Sequence, residues 1–221
     1  MKYKIEICVF NIKDLKNISK YNIQRVELCT NKSKGGLTPS EKDLKKSLEY
    51  NIPIHPIIRP RGGDFVYNEE ELKLMIKNIN FCKKIGCKGI VFGVLDNNHN
   101  VDIEACKKLK SYCGDMSTTF HRAFDKTKNP EEAMEDIIKM GFDRILTSGQ
   151  KNLALKGIGL INHLSKKSNG RIIIMPGSGI RSSNIETFKK NKSIKEFHSS
   201  SYVNGKICFN ELNRLVKKLN L

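Results

Sequence analysis

The segment His55-Pro-Ile-Ile-Arg-Pro-Arg-Gly-Gly-Asp-Phe65 ends a short apolar run with two arginines, two glycines and a carboxylate. Such residues build binding sites rather than cores, because guanidinium groups grip carboxylates and phosphates and glycine lets backbone come close to a ligand. Comparable blocks recur at Thr118-Thr-Phe-His-Arg-Ala-Phe-Asp125, Leu146-Thr-Ser-Gly-Gln150, Met175-Pro-Gly-Ser-Gly-Ile180 and Glu196-Phe-His-Ser-Ser200. Each follows a β-rich run and precedes a helical pattern, which is where α/β folds place their functional loops.

Arg59, Arg61 and Arg122 supply fixed cations suited to a carboxylate or phosphate, and His121 is a candidate general acid or base near neutral pH. Glu6, Glu27 or Asp125 would complete an acid/base pair or ligate a divalent ion. Gly177, Ser178 and Gly179 after the seventh β-rich run, with His198 and Ser199 after the eighth, match the place where barrel folds bind anions, next to the start of a short helix. Ser148 joins these anion-binding candidates. For Arg61 the alternative is a salt bridge to Asp64 that braces the Gly62-Gly63 turn.

Positioning these residues requires a regular scaffold, and β-rich runs alternate with helical patterns from end to end. The strand segments are 4–10, 25–29, 53–59, 89–95, 117–121, 144–147, 171–175 and 195–198. Helices fit near 12–20, 40–50, 69–85, 102–112, 130–140, 152–168, 182–191 and 209–220. Ser40 ahead of Glu41, and Asn129-Pro-Glu-Glu132, are helix-start signals. Eight β/α units predict a TIM-like (β/α)8 barrel in the α/β class, one domain spanning 1–221. An open doubly wound sheet is disfavoured because the turn after the first strand, Phe10-Asn-Ile-Lys-Asp14, has no glycine.

Alternate strand residues face opposite sides. Ile5, Ile7 and Val9 therefore fit the helix side, leaving Glu6 and Cys8 inward; Val26 and Leu28 go outward, leaving Glu27 and Cys29 inward. The same rule groups His55 with Arg59, Thr119 with His121, and Glu196 with His198. Barrel interiors are ordinarily filled by branched apolar residues, so this polar set points to a ligand or metal site. Mutual pairing of Glu6 and Glu27 with Arg59 is the competing, purely structural explanation.

The formal charge of +17 would favour phosphate backbones if it were clustered. It is dispersed: only 8 of the 40 basic residues are arginine, and the lysines sit in helical segments interleaved with acids. No recognition helix, zinc finger or aromatic RNA platform is present, so no nucleic-acid partner is expected. Glu6 breaks the first apolar run, which argues against a signal peptide, and no stretch is apolar enough to span a bilayer, so no membrane partner is expected either. Seven cysteines form no repeating framework and suit a reducing cytoplasm.

Glu6-Ile-Cys8, Arg25-Val-Glu-Leu-Cys29, Gly35-Gly-Leu-Thr-Pro-Ser40, Pro56 to Phe65, Phe92-Gly-Val-Leu95, Thr119 to Asp125, Leu146 to Gln150 and Met175-Pro-Gly-Ser-Gly179, in this order, resemble the CutC family, named for copper homeostasis. The likeness covers nearly the whole chain and departs at Ser178, where many relatives carry glycine. It implies a cytoplasmic, homo-oligomeric TIM-like barrel with copper as its partner, bound as Cu(I) by Cys8 and Cys29. Soft thiolates suit Cu(I), and two cysteines on neighbouring strands would give a near-linear pair of ligands; small cysteines are also common core residues. The residues themselves argue better for an enzyme, an isomerase, lyase or hydrolase acting on a small phosphorylated or carboxylated metabolite, whereas the family likeness argues for copper handling.

Overall fold

Residues 3–203 and 205–219 are described by the computed structural model. Eight strands form its centre: β1 (Lys4–Val9), β2 (Arg25–Leu28), β3 (Ile54–Pro56), β4 (Gly89–Phe92), β5 (Ser117–Phe120), β6 (Arg144–Thr147), β7 (Ile173–Pro176) and β8 (Glu196–Ser199). They pair in parallel as two arcs, β3-β2-β1-β8 and β4-β5-β6-β7. A bridge between Ile57 and Val91, with Ile58 N–H donating to Val91 O at 2.8 Å, joins the arcs at one seam. β7 lies against β8 at the other. The result is a TIM-like (β/α)8 barrel, as the alternation of elements predicts.

The helices α1 (Leu15–Ile18), α2 (Glu41–Ser47), α3 (Glu69–Ile85), α4 (Ile103–Ser111), α5 (Pro130–Lys139), α6 (Ile158–Ser168), α7 (Ile185–Lys189) and α8 (Phe209–Leu219) follow the strands in turn. Their starts obey local chemistry. Ser40 accepts from Asp43 N–H, Asn129 accepts from Glu131 and Glu132 N–H, and Asn68 with Glu71 makes a reciprocal capping box. Ile5, Ile7, Val9, Val26 and Leu28 are buried on the helix side; each such side chain withdrawn from water contributes about 1.5–3 kcal/mol.

Three segments differ from expectation. The helix anticipated near 12–20 is a 3-10 turn, Ile12–Asp14, capped by Asn11, and then the single turn α1. The hairpin of β9 (Tyr202–Val203) and β10 (Lys206–Ile207) separates β8 from α8, where a direct strand-to-helix loop was expected. α6 starts at Ile158 rather than near 152, because the chain first crosses the loop after β6. At that crossing a Cβ on Gly157 would lie 2.0 Å from Ser148 O and 2.8 Å from Gly149 Cα, both rigid backbone. Gly157→Ala is expected to cost about 1–3 kcal/mol, measured as a lowered denaturant midpoint; an unchanged midpoint would show that the crossing relaxes freely.

Candidate functional site

Barrel register brings the inward side chains together. Cys8 pairs with Glu27, Glu27 with His55, and Glu6 with both Arg25 and His198 across neighbouring strands. All six are buried. Lowest in the interior, Arg25 donates through Nε to Glu6 Oε2 at 2.7 Å and through Nη2 to Glu196 Oε2 at 2.5 Å. Arg144 Nε reaches the same Glu196 oxygen at 2.7 Å. Glu6 Oε1 lies 2.7 Å from His198 Nδ1, and a carboxylate oxygen there requires the proton on that nitrogen.

Cys8 and Cys29 sit above this network with their sulfurs 3.7 Å apart. Donor atoms of Cys8, Glu27 and His198 all lie within 4.8 Å of one another, a spacing from which one ion can be held. At a metal–sulfur distance of about 2.3 Å, linear coordination needs sulfurs about 4.6 Å apart, whereas 3.7 Å corresponds to an S–metal–S angle of about 107°. The pair is thus set for three or four ligands rather than the near-linear arrangement expected from the sequence. His198 is the natural third donor: its Nδ1–H is held by Glu6, leaving Nε2 on the side of Glu27, at 3.8 Å. A carboxylate behind a histidine is the usual support for a metal-bound imidazole.

Electrostatics fix the resting protonation states. Burial pushes Glu6 up, but Arg25, the His198 hydrogen bond and the His198 charge outweigh it and hold Glu6 well below the usual carboxylate range. Glu196 is likewise lowered, burial being overcome by Arg25 and Arg144. Glu27 is raised by burial. His198, despite burial, is held well above the ordinary imidazole value by hydrogen bonds to Cys8 and Glu6 and by the Glu27 charge. The hydrogen bond to Cys29 and burial push the Cys8 thiol up, and burial pushes Cys29 up to about 12. Both thiols are therefore protonated at rest, and a bound ion must displace protons.

The thiols form the floor of a cavity of about 250 Å³ at the C-terminal ends of the strands. Ile57, Phe65 and Leu146 line its walls, and Arg59, His121 and Arg122 bring its polar groups. Phe65 lies under the Arg59 guanidinium at 4.7 Å and edge-on to His121 at 4.9 Å. Burial depresses His121 to about 3, with Arg59 adding to the effect, so the ring is neutral near pH 7.

Several expected residues have other partners. Arg61 pairs with Asp64 at 2.8 Å and Glu71 at 2.5 Å, the bracing alternative, and does not line this cavity. Asp125 accepts from Thr147 Oγ1 at 2.5 Å, Ser148 N at 3.0 Å, Gln150 N at 3.1 Å and Arg122 Nε at 2.8 Å, so it locks the loop after β6. Ser148 is tied to that lock and to Arg122 at 2.9 Å. Gly177 is buried, donating to Thr147 O at 2.9 Å, and a Cβ there would meet Leu146 at 2.4 Å. Ser178, Gly179 and Ser199 line the cavity, but Ser178 Oγ donates to Asn152 O and Ser199 Oγ to Ile180 O.

The loop from β8 to α8 carries the β9–β10 hairpin, and α8 starts at Phe209, in line with the helix expected over 209–220. Nearby, Ser182 N–H and Oγ–H donate to the Glu211 carboxylate at 2.6 and 2.8 Å. Pairing of Glu6 and Glu27 with Arg59 does not occur; Glu6 takes Arg25 and His198 instead. Arg25 and Arg144 carried no role in the sequence reading. The available signal was that Arg25 shares the inward face of β2 with Glu27.

This arrangement can be placed among known proteins. Residues 3–203 match the model of the CutC family. The chain belongs to the CutC family. A CutC protein of Parabacteroides distasonis is 44% identical over 203 residues, covering 91% of this chain and 84% of that one. The human copper homeostasis protein cutC homolog is 39% identical over 202 residues, covering 90% and 73%. The crystal structure of a CutC protein from Streptococcus agalactiae superposes with a TM-score of 0.85 at 33% identity, covering 90% of this chain and 98% of that one. Phosphoribosylanthranilate isomerase from Thermotoga maritima, at 15% identity and a TM-score of 0.65, shares the barrel fold alone. Among the described residues no helix is long and apolar enough to cross a membrane.

Proposed function

We propose that this protein serves copper homeostasis by holding Cu(I) on Cys8 and Cys29, with His198 as third ligand and Glu27 beside it. The observation that carries the reading is the pair of buried thiols 3.7 Å apart on adjacent strands, one of which, Cys8, also shares a donor cluster with Glu27 and His198. Two thiolates and an imidazole form a soft set that favours Cu(I) over the hard cations that prefer oxygen. Glu6 orients the imidazole and takes up its charge when His198 is protonated, and Arg25 fixes Glu6. Binding exchanges thiol protons, and the imidazolium proton on Nε2, for the ion. A reducing cytoplasm suits this chemistry because both sulfurs must stay reduced rather than pair as a disulfide. The homo-oligomeric state implied by the resemblance belongs to the same reading, with light scattering as its check.

Titration of the reduced protein with Cu(I) against a competing chelator tests the proposal. One ion per chain is expected, with release of protons to the medium. The Cys8→Ser/Cys29→Ser variant is expected to lose binding while keeping its melting profile. Equal, weak binding by both proteins would remove the thiolate site.

A further inference from the structure

The cavity above the thiols carries a second set of groups that copper does not use. Arg59 is 6% exposed, yet all the hydrogen bonds of its guanidinium go to neutral carbonyls: Nη1 to Lys34 O at 2.9 Å and Gly36 O at 3.2 Å, Nη2 to Gly63 O at 3.0 Å. Its Nε–H has no partner, and no carboxylate lies within ion-pair distance of it among the described residues. A buried guanidinium without a counter-charge is unfavourable unless something completes it. His121 is 3% exposed and presents the same deficit. Its Nδ1 accepts from Ala123 N–H at 3.3 Å, which places the ring proton on Nε2, and that N–H is buried and unpartnered. Both residues line the one cavity, and both pack on Phe65.

We infer that this cavity binds a small organic monocarboxylate, its carboxylate met by the Arg59 guanidinium and the His121 Nε2–H, its carbon body against Phe65, Ile57 and Leu146. The charge count selects the class. Among the charged lining groups Glu27 faces His198 and Arg122 is paired with Asp125, Lys32 is exposed at the rim, and the buried Arg59 Nε–H and the neutral His121 donor are left without partners, a set that suits a single carboxylate, whereas a phosphate dianion calls for several more donors. The walls select an organic rather than inorganic anion, because apolar surface gains nothing from a hydrated ion. Size agrees: a dry cavity of about 150 Å³ accepts benzene, and this one measures about 250 Å³. Lys32 and Gly35, both exposed, line the cavity too and open it to solvent. The small anion raised by the sequence thus narrows to a carboxylate bound beside, not on, the thiols.

Benzoate and inorganic phosphate serve as probes in calorimetric titrations of the native protein, Arg59→Gln and His121→Phe, each checked for a cooperative melt. The expected result is one benzoate per chain, undisplaced by phosphate, weakened about 10–100-fold in Arg59→Gln and about tenfold in His121→Phe, the losses that follow from removing charged and neutral hydrogen bonds. Both variants are expected to bind Cu(I) as the native protein does, which separates this inference from the copper reading. His121→Phe keeps a packed ring and remains informative if Arg59→Gln does not fold. No saturable benzoate binding, equal affinity in the folded variants, or tighter binding of phosphate would each overturn the inference.

Discussion

Replacing Arg25 by methionine is expected to destabilise the protein by about 3–5 kcal/mol, the cost of stripping one partner from a buried charge network. Glu6 is fully buried and Glu196 is 2% exposed, and the Arg25 guanidinium bridges them at 2.7 and 2.5 Å. Methionine fills similar volume, so little of the loss comes from a cavity. It leaves Glu6 with only His198 and Glu196 with Arg144 and the distant Lys4 amine at 3.8 Å. Two low-lying carboxylates then lose the charge that keeps them ionised. The check is the urea midpoint at neutral pH, with the triple variant Glu6→Gln/Arg25→Met/Glu196→Gln beside it. Removing all three charges together is expected to restore part of the lost stability, because two buried carboxylates are no longer left short of a partner, although Arg144 and His198 each give up one. A midpoint for Arg25→Met within about 0.5 kcal/mol of the native protein, the range of ordinary surface changes, would mean that the network is not what holds this layer.

Acid should unfold the protein in two stages, and the sign follows from which state binds protons more readily. Burial depresses His55 to about 4 and His121 to about 3, below the ordinary 6.5. Their stabilisation is present above pH 6.5 and is lost as pH falls towards those values. Glu6 and Glu196 are depressed below 4.5, so their contribution is present above pH 4.5 and disappears beneath it. Glu27, raised by burial, opposes the first stage in part, since its contribution is present below 4.5 and fades as pH rises. Each additional proton taken up by the unfolded chain costs the fold about 1.4 kcal/mol per pH unit. On the alkaline side His198, raised above 6.5, contributes fully below that pH and is lost as pH climbs through its folded value; Cys8 and Cys29 behave likewise above 9. Stability measured by denaturant titration across pH should therefore peak near 6.5, fall gently to 4.5 and steeply below it. A flat profile down to pH 3 would contradict the charge states assigned to this interior.

Local patterns already carried the barrel and most of its polar lining. β1 and β2 show this best: strict alternation put Ile5, Ile7, Val26 and Leu28 on the helix side and Glu6, Cys8, Glu27 and Cys29 inside, and the aliphatics join the main apolar core while Cys8, Glu27 and Cys29 line the interior cavity. Side-chain alternation and helix capping depend on neighbours a few residues away, so they are readable in one dimension. The pairing of charges was not. Arg59 and Arg25 are equally basic on paper, yet Arg25 takes Glu6 and Glu196, 19 and 171 residues away, while Arg59 turns to the carbonyls of Lys34, Gly36 and Gly63.

Residue type and spacing alone were enough for the eight β/α repeats, the inward faces of β1 and β2, the family likeness and the two thiols. Only the tertiary structure decided that the sulfurs stand 3.7 Å apart, too close for a linear ion, that Arg61 and Asp125 brace loops, and that Arg59 and His121 keep unpartnered donors over one cavity. The reason is physical: strand register around a closed barrel sets which interior side chains meet, and register depends on the closure of all the strands together rather than on any single segment.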